Sequence, residues 1–463
     1  MKAKHEITLF EFDCLVGEDA SQSVAASPHI KVVSNMAYDY LKQLCLSDES
    51  ESQLLQLRRR NSMEVLQVQN YAGVIFTPDK TQIEVLPKIG KQLASDSING
   101  SGTDAYDKAR QSLLIMLKAL KGFAHIQTSN ANINQQKMPL LEVFISQFLN
   151  SVNMLIKRGL RSDYLRKEDN LAFLKGKLNV GKQVRHNIIN KHNFYCEYDE
   201  FMLDRPANRL IHAALIKVKE FTRSAVNQKL LQELLFVFHE VPRSRDYKLD
   251  FTRLRLDRGM NYYQIPLEWC QIILDGLSPQ TMKGSKNAAS LLFPMEKVFE
   301  GYVAKVMAEQ LSRTYPELTL TTQATGQHLA SYDKRGKFCL RPDLLIKQGQ
   351  QNKVVLDTKW KLLDNSVSHS NISQSDVYQM FAYAKKYLKR SSSHESVIEC
   401  GRDVVLIYPW QDNFAYPLEH YFDLDDGHRL WVVPFKICED QSHLMWPQVA
   451  SSSIDLGSLA ASV

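Results

Sequence analysis

The residues best suited to chemistry in this chain are Asp343, Asp357 and Lys359, carried on two apolar runs, Phe338–Ile346 and Lys353–Trp360. Runs of this length and composition predict two strands. The polar, glycine-containing stretch Lys347–Asn352 between them predicts a hairpin turn near Gln350. Such a hairpin sets Asp343 opposite or diagonal to Asp357, with Cβ atoms roughly 5–8 Å apart. Side chains alternate along a strand, so Asp357 and Lys359 share one face while Leu356, Thr358 and Trp360 take the other. Two carboxylates and an ammonium then converge where a hard divalent cation could sit. Mg²⁺ takes oxygen ligands and keeps several waters, so one or two carboxylates suffice to hold it. A cation held there lowers the pKa of a bound water and stabilises charge building on a phosphodiester, while the lysine orients the water. The plainer alternative is a surface hairpin with an Asp–Lys ion pair, worth about 0–1 kcal/mol.

Two flanking elements must position this group. Asp376–Tyr387 reads as an amphipathic helix, with Gln379 and Tyr383 one turn apart on one face. Upstream, Phe293–Met307 reads as a helix opened by proline. Glu296 lies in its first turn, where the helix dipole alone explains a carboxylate. Glu300 lies deeper, beside Phe299 and Val303 on the apolar face, and is the expected third acid, acting directly or through water. The order helix, strand, strand, helix and the P-D…D-x-K pattern resemble a PD-(D/E)XK nuclease core. Gln379 and Tyr383 resemble the Gln-x-x-x-Tyr helix of RecB-like nucleases, which borders the metal site and contacts nucleic acid. An ordinary core helix would instead pack Tyr383 and leave Gln379 wet.

The resemblance extends further, to the McrC family, the endonuclease subunits of McrBC-type modification-dependent (5-methylcytosine) restriction systems. Asn70–Phe76 with Ile83–Lys88 is similar to that family's amino-terminal region, and Leu174–Leu178 and Tyr198–Arg209 to its middle region. Arg341–Asp343 and Leu356–Trp360 resemble its catalytic strands, and Tyr378–Tyr383 the helix that follows. The match covers most of residues 60–410. It implies an α/β, multi-domain α+β chain whose carboxy-terminal nuclease core is a central mixed sheet flanked by helices. It further implies Mg²⁺-dependent cleavage of double-stranded, modified DNA, with Asp343, Asp357 and Glu300 as metal ligands. Lys359 would then activate the water, and Gln379 and Tyr383 would shape the site. The implied partner is an McrB-like AAA+ GTPase hexamer, which binds the GTP and whose hydrolysis the amino-terminal part stimulates. A prokaryotic, cytoplasmic setting goes with this. A standalone RecB-like nuclease and a non-catalytic scaffold of an AAA+ GTPase are the competing readings.

Bulk properties agree without deciding. The 463 residues suffice for two or three domains. Hydrophobic content of 44% and charged content of 23% describe a globular chain, and the net charge of +6 is a mild basic excess compatible with nucleic acid. The seven cysteines (14, 45, 196, 270, 339, 400 and 438) contain no C-x-x-C pair, which argues for a reducing compartment and against zinc. The first residues carry acids among apolar ones and do not form a signal peptide. No apolar run approaches the ~18 residues of a membrane span.

The expected organisation is a strand-rich, partner-docking module over 1–95, a mainly helical middle over 106–285, a nuclease domain over 286–448 and a disordered tail over 449–463. Expected strands are Ile7–Phe12, Val65–Val68, Gly73–Phe76 and Gln82–Leu86, with helices near Asn35–Leu46, Ala109–Ala119, Leu140–Lys157 and Asn208–Arg223. Ala94–Asp104 reads as a linker and Ser278–Asn287 as a boundary. Gly176–Gln183 nearly matches a phosphate-binding loop but ends in Gln183 where a hydroxyl should reach Mg²⁺, so nucleotide binding is not expected there. Lys175, Lys177, Lys182 and Arg185 could contact DNA phosphates, although a solvated face explains them more simply. Arg58–Arg60 could supply a cation to a partner's nucleotide site or be a surface cluster. His125, His186 and His328 lack ligand spacing.

Overall fold

Contacts along the chain gather into two units, one formed by Met1–Lys137 with Ser278–Val463 and the other by Met138–Leu277. The computed structural model describes residues 6–23, 29–47, 53–60, 63–90, 103–120, 138–274, 290–365, 368–388, 402–439 and 442–446. His125, Cys400, the tail over 449–463, the Ser278–Asn287 boundary and nearly all of the 94–104 linker lie outside the described residues.

The discontinuous unit is built on a mixed sheet. Its strands run in the order Leu318–Thr322, Leu344–Gln348, Gln351–Thr358, Asp403–Pro409, His428–Lys436 and Phe422–Leu424, with His443–Leu444 also on His428–Lys436. Leu344–Gln348 and Gln351–Thr358 form the expected antiparallel hairpin about Gly349-Gln350, with Leu344 opposite Leu356. Gln351–Thr358 then pairs in parallel with Asp403–Pro409. Period-two alternation sorts the side chains. Leu345, Val355, Val404 and Leu406 pack against Met380, Tyr383 and Tyr387 of the helix Gln374–Tyr387. Trp360 turns the other way and meets Phe299, at 5.3 Å between ring centres.

The apolar run Phe338–Ile346 is not one strand. Arg335–Leu340 leaves the sheet to pair with Gln327–Tyr332, and Leu344 begins the sheet strand. Pro342 lies between them; having no amide hydrogen, it interrupts a ladder. The helix expected from Phe293 also starts late. Ser290–Pro294 stays extended and the helix is Met295–Thr314, which buries Val298, Phe299, Tyr302, Val303, Met307 and Leu311.

Ser290–Pro294 is the fourth strand of an amino-terminal sheet ordered Glu6–Phe10, Gln82–Leu86, Tyr71–Phe76, Ser290–Pro294. A Cβ at Gly73 would come within 1.8 Å of the Leu291 carbonyl oxygen, so only glycine permits this approach. The expected separation of residues 1–95 from 286–448 therefore differs from what the chain does. A buried strand without alternation gives no sign of which sheet it joins. A second amino-terminal sheet runs Ile30–Val33, Cys14–Gly17, Met63–Val68, Leu55–Arg60.

The second unit contains the helices Leu140–Arg158, Pro206–Lys219, Ala225–Val237, Tyr247–Arg253 and Gln264–Leu274. Beside them is a three-stranded sheet, Asp163–Leu171, Phe194–Met202 and Lys177–Leu178, that the helical expectation missed. Its first strand is charge-rich and mostly exposed, so no apolar alternation marks it. The basic stretch beside this sheet is partly neutralised, since Lys175 pairs with Glu200 and Lys182 with Glu168. The near-match to a phosphate loop instead opens the short helix Val180–His186, whose first turn is capped by the Asn179 side chain.

Candidate active site

The hairpin register, continued one residue past the Leu344–Leu356 pair, brings Asp343 across from Asp357. Asp343 Oδ2 accepts from the Thr358 amide at 2.8 Å and from the Thr358 hydroxyl at 2.6 Å. These bonds clamp the loop after Pro342 onto the end of the neighbouring strand. Asp357, only 1% exposed, receives a short hydrogen bond from Lys359 Nζ, and the same Nζ donates to Gln379 Oε1 at 2.9 Å. Gln379 Nε2 in turn donates to the Tyr383 hydroxyl at 2.7 Å, which donates to the Arg341 carbonyl at 2.9 Å. A closed chain of polar contacts thus runs from the Asp357 carboxylate through the helix and back to the residue two before Asp343.

Glu300 is reached through a residue that the sequence did not single out. The Gln323 side-chain amide donates both to Glu300 and, at 3.2 Å, to Asp343 Oδ1, while its backbone amide donates to the Asp343 carbonyl at 2.8 Å. Gln323 holds φ +48° just past the Leu318–Thr322 strand. A polar residue in a Thr-Thr-Gln-Ala-Thr stretch carries no periodicity that could have flagged it. All six expected site residues are therefore connected, Glu300 through Gln323. Glu296 lies apart from the six, accepting from Asn70.

Burial, then the neighbouring Asp343 charge, pushes Asp357 up to about 7 against the pull of Lys359. Burial and then Asp343 likewise raise Glu300. Burial opposes the Lys359 ammonium, but the Asp357 carboxylate outweighs it and holds Lys359 above the usual lysine range. The two shifts pull apart, because a protonated Asp357 would remove the charge that raises Lys359. The short hydrogen bond between them holds the ion pair once Asp357 has lost its proton. Tyr383 is raised as well, by burial and then by Asp357, so its hydroxyl stays protonated and remains a donor.

The Asp343 charge raises both Asp357 and Glu300, and the three acids leave negative charge in excess of the single lysine, the environment in which a divalent cation is welcome. Among the described residues no group of three or more His, Cys, Asp or Glu is gathered closely enough to hold a metal. Asp343 and Asp357, opposite each other in the hairpin register, are the two carboxylates that could reach one ion together. That pair fits Mg²⁺, which keeps most of its waters.

Beneath the site, Trp360 Nε1 donates to Glu11 at 3.0 and 3.1 Å, and the Trp360 carbonyl accepts from Lys88 Nζ at 2.7 Å. The Lys88 amide donates to Glu11 at 2.8 Å. Glu11 and Lys88 are both buried. Lys361, the next residue, is bound by both oxygens of Asp376. The two residues after Lys359 are thus fixed by a buried pair from the amino-terminal sheets and by the opening turn of the Gln374–Tyr387 helix.

A family model described as "McrBC 5-methylcytosine restriction system component" matches residues 66–409. A chain of the refined half-complex from the tetradecameric assembly of Thermococcus gammatolerans McrB AAA+ hexamers with bound McrC is similar in structure. It is 20% identical, with a TM-score of 0.61, and the match covers 93% of this chain and 94% of that one. A chain of the Thermococcus gammatolerans McrBC complex seen by cryo-electron microscopy is 21% identical at a TM-score of 0.46, over 66% of this chain and 88% of that one. No curated protein matches. The first of these structures shows that the fold is shared across nearly the whole chain.

Proposed function

Because the chain belongs to the McrBC 5-methylcytosine restriction system component family, we propose that it is the nuclease subunit of a modification-dependent restriction complex. In this reading it hydrolyses phosphodiester bonds of modified double-stranded DNA with Mg²⁺. It works with an McrB-like AAA+ hexamer, which binds the GTP and whose GTPase it stimulates. The observation that carries the reading is the linked set Asp343, Asp357, Lys359 and Gln379. A buried acid paired with a partly buried lysine at i and i+2 is costly to a fold unless the charges are used.

Asp343 and Asp357 would hold the Mg²⁺, with Glu300 acting through water across Gln323. When bound, the ion lowers the pKa of a coordinated water and draws negative charge off the phosphate. The remaining work falls to this chain. Lys359, fixed by Asp357 and Gln379, presents an ammonium to a phosphate oxygen or to the incoming water. Gln379 can hold that lysine because Tyr383 occupies its amide nitrogen. Tyr383 is in turn anchored on Arg341, so a shift of the helix is a shift of the lysine.

The test is cleavage of methylated and unmethylated plasmid with Mg²⁺, with and without the AAA+ partner and GTP. Cutting confined to methylated DNA with partner and GTP supports the proposal. Cutting by the chain alone would make it an autonomous nuclease. Undiminished cutting by Asp357→Ala would remove the assignment altogether.

A further inference from the structure

The hairpin Gln327–Tyr332 with Arg335–Leu340 has no structural reason to look as it does. Its residues from Leu329 to Cys339 are all exposed, with Tyr332 at 76%, Phe338 at 75% and Leu329 at 49%. A two-stranded ribbon open to water on both faces is marginal by itself, and it gains nothing from displaying Tyr, Phe and Leu. Its tip is a two-residue turn in which Asp333 and Lys334 both hold positive φ, +49° and +59°, so the ribbon is closed and stiff rather than a loose loop. Phe338 is also left-handed at φ +57°, a conformation that bulky residues avoid.

Charge and position say what such a ribbon meets. Lys334, Arg335, Lys337 and Arg341 are exposed against the lone acid Asp333, and among the described residues none of the four cations is in an ion pair. The base of the ribbon is bolted to the candidate active site. The Tyr387 hydroxyl bonds the Leu340 carbonyl at 2.8 Å and the Ala324 carbonyl at 3.0 Å, and the Tyr383 hydroxyl bonds the Arg341 carbonyl. Pro342 and Asp343 follow directly. Unpaired cations interleaved with exposed aromatic rings, a few residues from an acid proposed to act on phosphodiesters, match the chemistry of a nucleic-acid backbone and groove.

We propose that this hairpin grips the double-stranded DNA substrate beside the scissile phosphate, with Lys334, Arg335 and Lys337 on phosphates and Tyr332 and Phe338 against sugars and base edges. The proposal rests on the nuclease reading above. It assigns a substrate-holding role to a segment outside the acid–lysine cluster.

The test uses the full chain in an Asp357→Asn background, so that DNA is bound and not cut, with a labelled duplex containing 5-methylcytosine as probe at several salt concentrations. Replacing Lys334, Arg335 and Lys337 with alanine is expected to weaken binding by about tenfold or more. The same change should lower the salt slope by about 0.9 for each phosphate no longer neutralised. Tyr332→Ala with Phe338→Ala is expected to weaken binding with the slope unchanged. Asp333→Lys, which adds a cation at the tip, is expected to tighten it. In the assembled complex carrying Asp357, the triple alanine variant should raise KM for DNA while kcat and the partner's GTPase stimulation hold. Equal affinity and slope in all variants, or a chain that binds no duplex at low salt, overturns the hairpin assignment. So does a loss confined to partner binding, which would make the ribbon a protein contact. Failure of the nuclease reading is separate and shows as an unmutated complex that does not cut.

Discussion

At the scale of residues, the acid–lysine pair makes two demands on experiment. Lys359→Ala removes the ammonium that Asp357 and Gln379 hold. It is expected to lower cleavage roughly 10²–10³-fold, the range found for loss of one preorganised stabilising group. The GTPase stimulation should survive, and a coupled GTPase and cleavage assay separates the two. The second demand concerns pH. Asp357 lies above its ordinary range when no cation is present, at about 7. Between the unfolded value near 3.8 and that folded value, the native state holds a proton the unfolded state has released. Stability of the metal-free protein therefore falls as pH rises through that window. Melting curves at pH 5 and pH 8 in a chelator should show this loss, and Asp357→Asn should lessen it. Mg²⁺ should raise the melting temperature of the unmutated chain at pH 8 and leave Asp357→Asn unchanged.

At the scale of elements, the strand that carries Lys359 is held from below by Trp360, Glu11 and Lys88. Burial raises Glu11 and lowers Lys88, so each group is in surroundings that resist its charge. Trp360→Phe keeps the ring against Phe299 but takes the indole N–H away from the buried Glu11 carboxylate. The expected loss is about 1–3 kcal/mol, the cost of leaving a buried polar group unsatisfied, read by urea unfolding. This layer also marks where the sequence was legible. Asp343, Asp357, Lys359, Gln379 and Tyr383 announced themselves because strand and helix periods put them on shared faces, and a hairpin fixes its own register. Gln323, Glu11 and Lys88 did not, because each reaches the site across a long gap in the chain that no local period encodes. The end of the ribbon, Phe338–Leu340, was absorbed into a longer apolar run, since Phe338 and Leu340 look like core when neighbours are unknown.

At the scale of the whole molecule, the amino-terminal sheet and the sheet that carries the candidate site are parts of one unit. Ser290–Pro294 closes the first sheet and runs directly into the Met295–Thr314 helix. Composition suggested separate domains at 95 and 286 because a linker-like stretch and a turn-rich stretch look alike whether the chain leaves a domain or returns to it. A fragment starting at residue 286 is thus expected not to fold alone, since it loses the strand Tyr71–Phe76 and the partner of Trp360. Circular dichroism and limited proteolysis would show this, and co-expression with residues 1–137 should restore a folded species. A stable, cooperatively melting 286–463 fragment would contradict the joint unit.

The tie between Trp360 and Glu11 spans 349 positions of the chain. A ribosome delivers those positions in order, so the tie has a place in time as well as in space. While the inserted unit is being made, the first half of the discontinuous unit waits, its sheet one strand short. Asp343, Asp357 and Lys359 emerge later still, and their strand meets its buried support only once it has cleared the exit tunnel. Under the proposed nuclease function, a chain that stops short of Trp360 is therefore an unarmed one, and the host gains an interval in which such truncated or stalled products are harmless.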